Sequence, residues 1–197
     1  MYFLYQILIL LILVLSPIII IYRILKNKED QIRFTEKFAF FSKKRSRGRL
    51  VWFHGASVGE ILSIMPIIKQ YEKNKLISQI LVTSSTLSSS KVIKKFKLKK
   101  TIHQFFPIDN FFFTNKFLKF WRPDIAIFID SEIWPCMFKN IKNRKIPLIL
   151  LNARLTASTF KKWIQFKSFS KSVFSNVSIA FPQNLETKSY LKKLKIK

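Results

Sequence analysis

The chain has 197 residues, 49% of them hydrophobic, with a formal net charge of +26 from 36 Lys plus Arg against 10 Asp plus Glu. This permits a sizeable core in one domain with an appendage. The one cysteine, Cys136, excludes an intramolecular disulfide and fits a reducing compartment. The basic excess has two readings: an anionic partner, or a compositional drift that also gives 21 Phe and only 3 Gly.

From Tyr2 to Tyr22 the chain is almost wholly apolar, interrupted by Gln6, Ser16 and Pro17. A helix needs about 20 such residues to cross a bilayer. No charged residue precedes the run, so the basic start of a signal peptide is missing. Arg23, Lys26 and Lys28 follow it, which places the remainder on the cytoplasmic side. Residues 1–24 are therefore read as a membrane anchor helix. A helix lying in the interface and kinked at Pro17 is a variant of that reading, and a cleaved signal peptide is its alternative.

Residues 25–48 read as a basic juxtamembrane segment. Arg33, Phe34, Glu36, Lys37, Phe38 and Phe41 fit a short amphipathic helix at the membrane surface. Lys43-Lys44-Arg45-Ser46-Arg47 is a basic cluster of the kind that attracts anionic headgroups at about 1 kcal/mol per residue. A solvated linker is the plainer alternative.

Residues 49–197 alternate apolar runs with helical patterns. Strands are expected at Leu50–His54, Gln79–Thr83, Ile102–Phe106, Asp124–Ile129, Pro147–Leu151 and Val177–Phe181. Helices are expected at Glu60–Glu72, Ser89–Phe96, Phe111–Phe120, Trp134–Lys142, Ala157–Val173 and Leu185–Leu194. Continuous apolar strands belong to sheets covered on both faces. Successive βα units imply an α/β fold, a Rossmann-like open parallel sheet, behind the N-terminal hydrophobic helix.

Such sheets put their chemistry at the carboxyl ends of strands. Glu60 stands where the first strand hands over to a helix, through Gly55-Ala56-Ser57-Val58-Gly59. That run fits the nucleophile elbow G-x-S-x-G, but a Ser–acid–His order fails. His103 is the only histidine after Ser57, and the acids between them, Glu60 and Glu72, share the elbow's own helix. Ser57 and Gly59 instead suit close approach of a ligand to a helix N-terminus. His54 and His103 read as isolated core or strand-end histidines, and no metal cluster is evident. Asp130 and Glu132 follow the fourth strand and, in an extended segment, point the same way; Asp130 or Ser131 as a helix cap is the alternative. Asn152 and Arg154 follow the fifth strand. Arg154 suits bidentate contact with phosphate or carboxylate, or a surface salt bridge. Parallel strands bring Glu60, Glu132 and Arg154 to one sheet edge. A carboxylate base beside an anion-binding Arg suits transfer to an alcohol of a phosphorylated acceptor, with Glu60 taking the hydroxyl proton. The helix N-terminus favours its ionised form.

The run Trp52-Phe53-His54-Gly55-Ala56-Ser57-Val58-Gly59-Glu60 resembles the signature of the bacterial Kdo transferases. Ser131-Glu132-Ile133-Trp134-Pro135 and Asn152-Ala153-Arg154-Leu155 resemble that family's second and third signatures, in order. Arg33-Phe34-Thr35-Glu36-Lys37-Phe38 is similar to its post-anchor segment. The resemblance implies an inverting, metal-independent glycosyltransferase of the GT-B fold that needs no cofactor. Its donor would be CMP-Kdo and its acceptor a lipid A precursor, at the cytoplasmic face of the inner membrane. By the same resemblance Glu60 is the catalytic base and Glu132 belongs to the cleft. Thr83-Ser84-Ser85-Thr86-Leu87-Ser88-Ser89 departs from the family's turn, lacking its Pro and Gly. A GT-B enzyme has a second, nucleotide-binding domain, which is expected to lie outside this chain, on a separate C-terminal half. Other readings are a GT-B transferase acting on another lipid-linked sugar and a non-catalytic membrane-bound fragment that binds anionic lipid or a partner chain. Nucleic acid is not an expected partner, since charge alone supports it.

Overall fold

The computed structural model describes residues 2–196. Helix α1 (Tyr2–Leu25) and a 3-10 turn (Arg33–Phe38) precede β1 (Leu50–His54) and α2 (Val58–Lys73). Then come β2 (Gln79–Ser84), α3 (Leu87–Lys95), β3 (Thr101–Phe105), α4 (Phe111–Trp121), β4 (Ile125–Ile129) and α5 (Pro135–Asn143). The described chain closes with β5 (Leu148–Ala153), α6 (Ala157–Gln165), α7 (Lys167–Phe174), β6 (Ile179–Pro182) and α8 (Leu185–Lys193).

The six strands form one sheet in the order β3-β2-β1-β4-β5-β6, and every neighbouring pair is parallel. The chain starts in the middle, winds to one edge, returns, and winds to the other. The order therefore reverses between β1 and β4, where doubly wound sheets open a crevice at the carboxyl ends.

Both faces of β1 are buried, and the strand alternation sends side chains to two cores. Leu50, Trp52, Ala126, Phe128 and Leu148 pack with Phe117, Phe138 and Leu191 from α4, α5 and α8. Val51, Phe53, Ile80, Val82 and Ile127 pack against Ile61, Ile64 and Ile68 of α2. Burying side chains of this size contributes roughly 1.5–3 kcal/mol each.

Five helices carry a side-chain cap: Ser57, Thr86, Asn110, Thr156 and Asn184 each accept an amide of the following first turn. Such caps are worth about 1 kcal/mol apiece. The single helix expected over Ala157–Val173 is instead two. The break falls at Phe166, whose φ of −111° and ψ of 55° leave the helical region. The bend lets the Trp163 ring lie against both Phe169, at 6.0 Å, and Phe174, at 4.9 Å.

The segment before β1 is no solvated linker. Glu36 is buried, its carboxylate clasps the Arg33 guanidinium at 2.8 and 2.9 Å, and it accepts the Phe105 amide at 2.8 Å. Gln104 donates to the Phe40 carbonyl at 3.2 Å. The bond to the Phe105 amide occupies part of the outer β3 edge, where unpaired amides would be offered to another strand. Within the basic cluster Arg45 is likewise structural, donating to the carbonyls of Trp121 at 2.6 Å and Gly48 at 2.8 Å.

Candidate functional site at the switch point

Ser57 caps α2, and Glu60 lies three residues later, the spacing of a capping box. The Ser57 hydroxyl donates to Glu60 Oε1 at 2.7 Å, and the Glu60 amide donates back to Ser57 Oγ at 3.3 Å. Glu60 Oε2 accepts the Ala56 amide at 2.9 Å. The carboxylate thus folds over its own turn. Gly55 makes room for it: a Cβ there would stand 3.1 Å from Glu60 Cβ and 3.3 Å from Ile61 Cδ1. Ser57 is accounted for as a cap and carboxylate donor, so nothing in the geometry makes it a nucleophile.

Glu132 is held differently. Its Oε2 accepts the Trp134 indole N–H at 2.9 Å and lies 3.3 Å from His54 Nε2. His54 is fully buried, stacked on Phe106 with ring centroids 3.9 Å apart. Its Nδ1 is 2.9 Å from Thr83 Oγ1, which also accepts the Trp52 indole N–H at 2.9 Å. The Thr83 hydroxyl donates in turn to the Phe53 carbonyl at 3.4 Å, so the His54 ring bridges Thr83 on one side and the Glu132 carboxylate on the other. His54 is a core histidine, as its apolar neighbours suggest, but it is not isolated.

The turn after β4 corrects a sequence expectation. Asp130 has φ of +61°, so it is not part of an extended segment and does not share a direction with Glu132. Asn152, after β5, is also left-handed at φ +54°. Asp and Asn tolerate this region better than most residues. The two bends turn Asp130 and Asn152 into one cleft of about 240 Å³ with Ser57, Gly59, Glu60, Arg154 and Gln183. Glu132 is not among the cleft's lining residues; it faces His54 and Trp134. Burial pushes the Asp130 carboxyl above the usual range, Arg154 pulls it back, and Glu132 adds to the rise. Arg154 itself is exposed and has no carboxylate within 4 Å among the described residues, so the surface salt bridge is not formed.

Helix α5 is not capped by Asp130 or Ser131. Trp134 occupies the cap position without a side-chain bond and Pro135 opens the helix. The cap comes from Asp109, in the loop after β3: its carboxylate accepts the Cys136 amide at 3.0 Å and the Met137 amide at 2.8 Å. Burial drives its pKa to about 7, against the donors that favour the charged form.

His103 lies elsewhere, between Arg33 Nη2 at 3.0 Å and Ser84 Oγ at 2.8 Å. Burial, then the Arg33 and Lys94 charges, push its pKa down to about 3. Glu72 binds the amides of Lys99 and Lys100 and the Thr101 hydroxyl. Both are structural. No group of three His, Cys, Asp or Glu side chains gathers in metal-binding fashion among the described residues.

Sequence reasoning missed three things: the grip of Ser57 on Glu60, Gln183 in the cleft, and Asp109 as the α5 cap. The S-x-x-E spacing was a readable signal for the first. Nothing local points to the others.

Strand order and switch-point cleft define an α/β protein of the doubly wound, Rossmann-like class. The family model described as 3-deoxy-D-manno-octulosonic-acid transferase (kdotransferase) matches residues 32–197, and the chain belongs to that family. It is 44% identical over 129 residues to the 3-deoxy-D-manno-octulosonic acid transferase of Rickettsia felis, covering 66% of this chain and 28% of that protein. To the Rickettsia bellii protein of the same name it is 37% identical over 181 residues, covering 92% and 43%. A probable mitochondrial 3-deoxy-D-manno-octulosonic acid transferase of Arabidopsis thaliana is 36% identical, covering 75% and 34%. The chain thus spans less than half the length of these relatives. A crystal structure of UDP-N-acetylglucosamine 2-epimerase superposes with a TM-score of 0.53 over 77% of this chain and 46% of that one. At 14% identity that likeness concerns the fold alone.

Proposed function

We propose that this chain is the acceptor-side half of an inverting, metal-independent GT-B glycosyltransferase. It moves 3-deoxy-D-manno-octulosonate (Kdo) from CMP-Kdo to a lipid A precursor, lipid IVA, in lipopolysaccharide synthesis at the cytoplasmic face of the inner membrane. The observation that carries this reading is the Glu60 carboxylate, fixed by the Ala56 amide and the Ser57 hydroxyl at the mouth of a cleft that also holds Arg154.

Glu60 acts as general base. Two of its lone pairs are engaged by its own turn, and an ionised carboxylate has about four, so others remain for a substrate hydroxyl. The held carboxylate takes the proton as the acceptor oxygen bonds to the anomeric carbon of Kdo. The bond from that carbon to the CMP phosphate breaks, and its electron pair leaves with CMP. Arg154, without a carboxylate partner among the described residues, is available to a phosphate or carboxylate of the substrates. Asn152 and Gly59 shape the same wall. Glu132 positions the loop behind the cleft through Trp134 and His54. The CMP moiety is assigned to a C-terminal half supplied by another part of the enzyme.

The test is transfer by the whole assembly. The chain is combined with the C-terminal half of a family relative and given CMP-Kdo and lipid IVA, and the lipid is followed by mass spectrometry. A mass gain of Kdo on the lipid is expected. No gain, when the same half supports transfer with its own N-terminal partner, would overturn the proposal.

A further inference from the structure

Helix α1 is long and apolar enough to cross a membrane, yet one stripe of it is withdrawn from solvent along its length. Tyr2, Tyr5, Ile9, Leu13, Ser16 and Ile20 are buried or half-buried, while their neighbours between them are mostly exposed. Their steps of three and four keep them on one helical face. Polar ties fasten both ends. The Tyr5 hydroxyl donates to Asp109 Oδ2 at 2.7 Å, and the Tyr2 ring meets Phe169 edge-on at 5.1 Å. At the other end Arg23 donates to Glu29 at 3.0 Å, and Lys37 binds the same carboxylate. A helix of this length extends about 36 Å. Standing it upright in a bilayer, with the Arg23 end at the surface, would carry Asp109 and Phe169 into hydrocarbon with Tyr2 and Tyr5 or tear those contacts away, and burying a carboxylate without compensation is costly.

The uncovered faces are as apolar as the stripe. Phe3, Leu4, Leu11, Val14, Ile18 and Leu25 are each at least half exposed. A second copy of this chain is a poor occupant for them, because each copy has a net charge of +26 and would repel the other. An anionic bilayer surface answers both the apolar face and the charge.

We propose that α1 is a strap lying in the plane of an anionic membrane interface, clamped along the domain at Asp109 and Glu29, and does not cross the bilayer. This rests on the membrane-associated reading above. It adds a link to the site. The carboxylate that receives Tyr5 also holds the first amides of α5, whose N-terminus follows Glu132 and Trp134 directly. Asp109 is thus a positioning residue shared by the strap and the loop behind the cleft.

The experiment uses the full chain with Cys136→Ser and one of Leu4→Cys, Ile12→Cys or Ile19→Cys, each labelled with an environment-sensitive fluorophore. The labelled proteins are bound to vesicles of phosphatidylethanolamine and phosphatidylglycerol that contain lipids quenching at known depths. Co-sedimentation with the vesicles tests the membrane reading by itself. The strap predicts the same shallow depth at all three positions. A deep label at 12 between shallow labels at 4 and 19 would show a spanning helix and overturn the strap while leaving membrane association intact. Labels shielded from water but reached by no lipid quencher would indicate a protein partner, which also overturns it. A second variant, Tyr2→Cys with Phe169→Cys, is expected to crosslink through a short bis-maleimide on the same vesicles. Failure of that crosslink would show the helix detached from its seat and would sink the proposal.

Discussion

Glu60 and Glu132 follow neighbouring strands at the same sheet edge, and the protein holds them in opposite ways. Glu60 is gripped by Ala56 and Ser57, four and three residues away, within one turn of chain. Glu132 is held by Trp134 beside it and by His54, 78 positions earlier, itself braced by Thr83 and Trp52. The first carboxylate is half-buried at an open cleft. The second closes a polar chain inside an aromatic wall of Phe106, Phe128 and Trp134. A locally held group depends little on the rest of the fold and keeps free lone pairs for a substrate. A group held across the sheet reports the packing of everything between.

The largest expected effect breaks the comparison on the local side. Glu60→Gln keeps the turn's size and an acceptor for the Ala56 amide but cannot take a proton. Transfer by the complemented enzyme is expected to fall about 10²–10⁴-fold, the usual worth of a general base. Circular dichroism and the melting temperature should stay near those of the parent chain. Undiminished transfer would remove Glu60 as base.

The next effect concerns a third carboxylate, held wholly by tertiary structure. Asp109 is buried under Tyr5 and the α5 amides, and its pKa is raised to about 7. The native state therefore binds this proton more tightly than the unfolded chain does. Its contribution to stability is full below about pH 4 and is lost as the pH rises through about 7, with an upper bound of roughly 4 kcal/mol. Asp109→Asn, neutral at every pH like the protonated acid, should remove this fall, so that denaturant midpoints of variant and parent lie close near pH 4 and separate toward pH 7, with the variant the more stable. Parallel pH profiles would show that Asp109 does not titrate differently in the two states.

His54→Ala breaks the comparison on the long-range side. It empties a site stacked on Phe106 and strips partners from Thr83 and Glu132. A cost of about 3 kcal/mol is expected from the cavity and the unsatisfied groups. For a chain of this size that lowers the melting temperature by roughly 6–12 °C. The Glu60 turn should survive, since none of its bonds passes through His54. A drop under 2 °C would mean the polar chain carries no stability.

The same contrast explains what was legible in the sequence. The strands were readable because Leu50–His54 and its counterparts are continuous apolar runs. The parallel sheet followed from their alternation with helical patterns. Ser57, Gly59, Glu60, Asn152 and Arg154 could be named from strand ends and motif resemblance, and they share one cleft. What failed depends on backbone bends and distant partners. No periodicity places Asp130 and Asn152 in the left-handed region, and no spacing rule connects Asp109 to Cys136 or His54 to Glu132. The break at Phe166 was hidden because the pattern on its two sides is equally amphipathic and only the packing around Trp163 separates them.

The smallest effect sharpens the local side. Gly55 and Gly59 flank the same turn, yet only Gly55 is forced by the protein itself. A Cβ on Gly55 would press on Glu60 and Ile61, whereas a Cβ on Gly59 meets nothing nearer than Ser57 Oγ at 4.0 Å. Gly59 also lies inside α2 without a left-handed φ, where Ala is the better helix former by up to about 1 kcal/mol. Gly59→Ala should therefore leave stability unchanged or raise it slightly. Any requirement for glycine must come from something that approaches from outside, through the cleft that Gly59 lines. A raised KM for the lipid acceptor, with an unchanged melting temperature and a nearly unchanged kcat, would locate that approach at the α2 N-terminus. An unchanged KM would move the acceptor away from Gly59 and toward the Asn152–Arg154 wall.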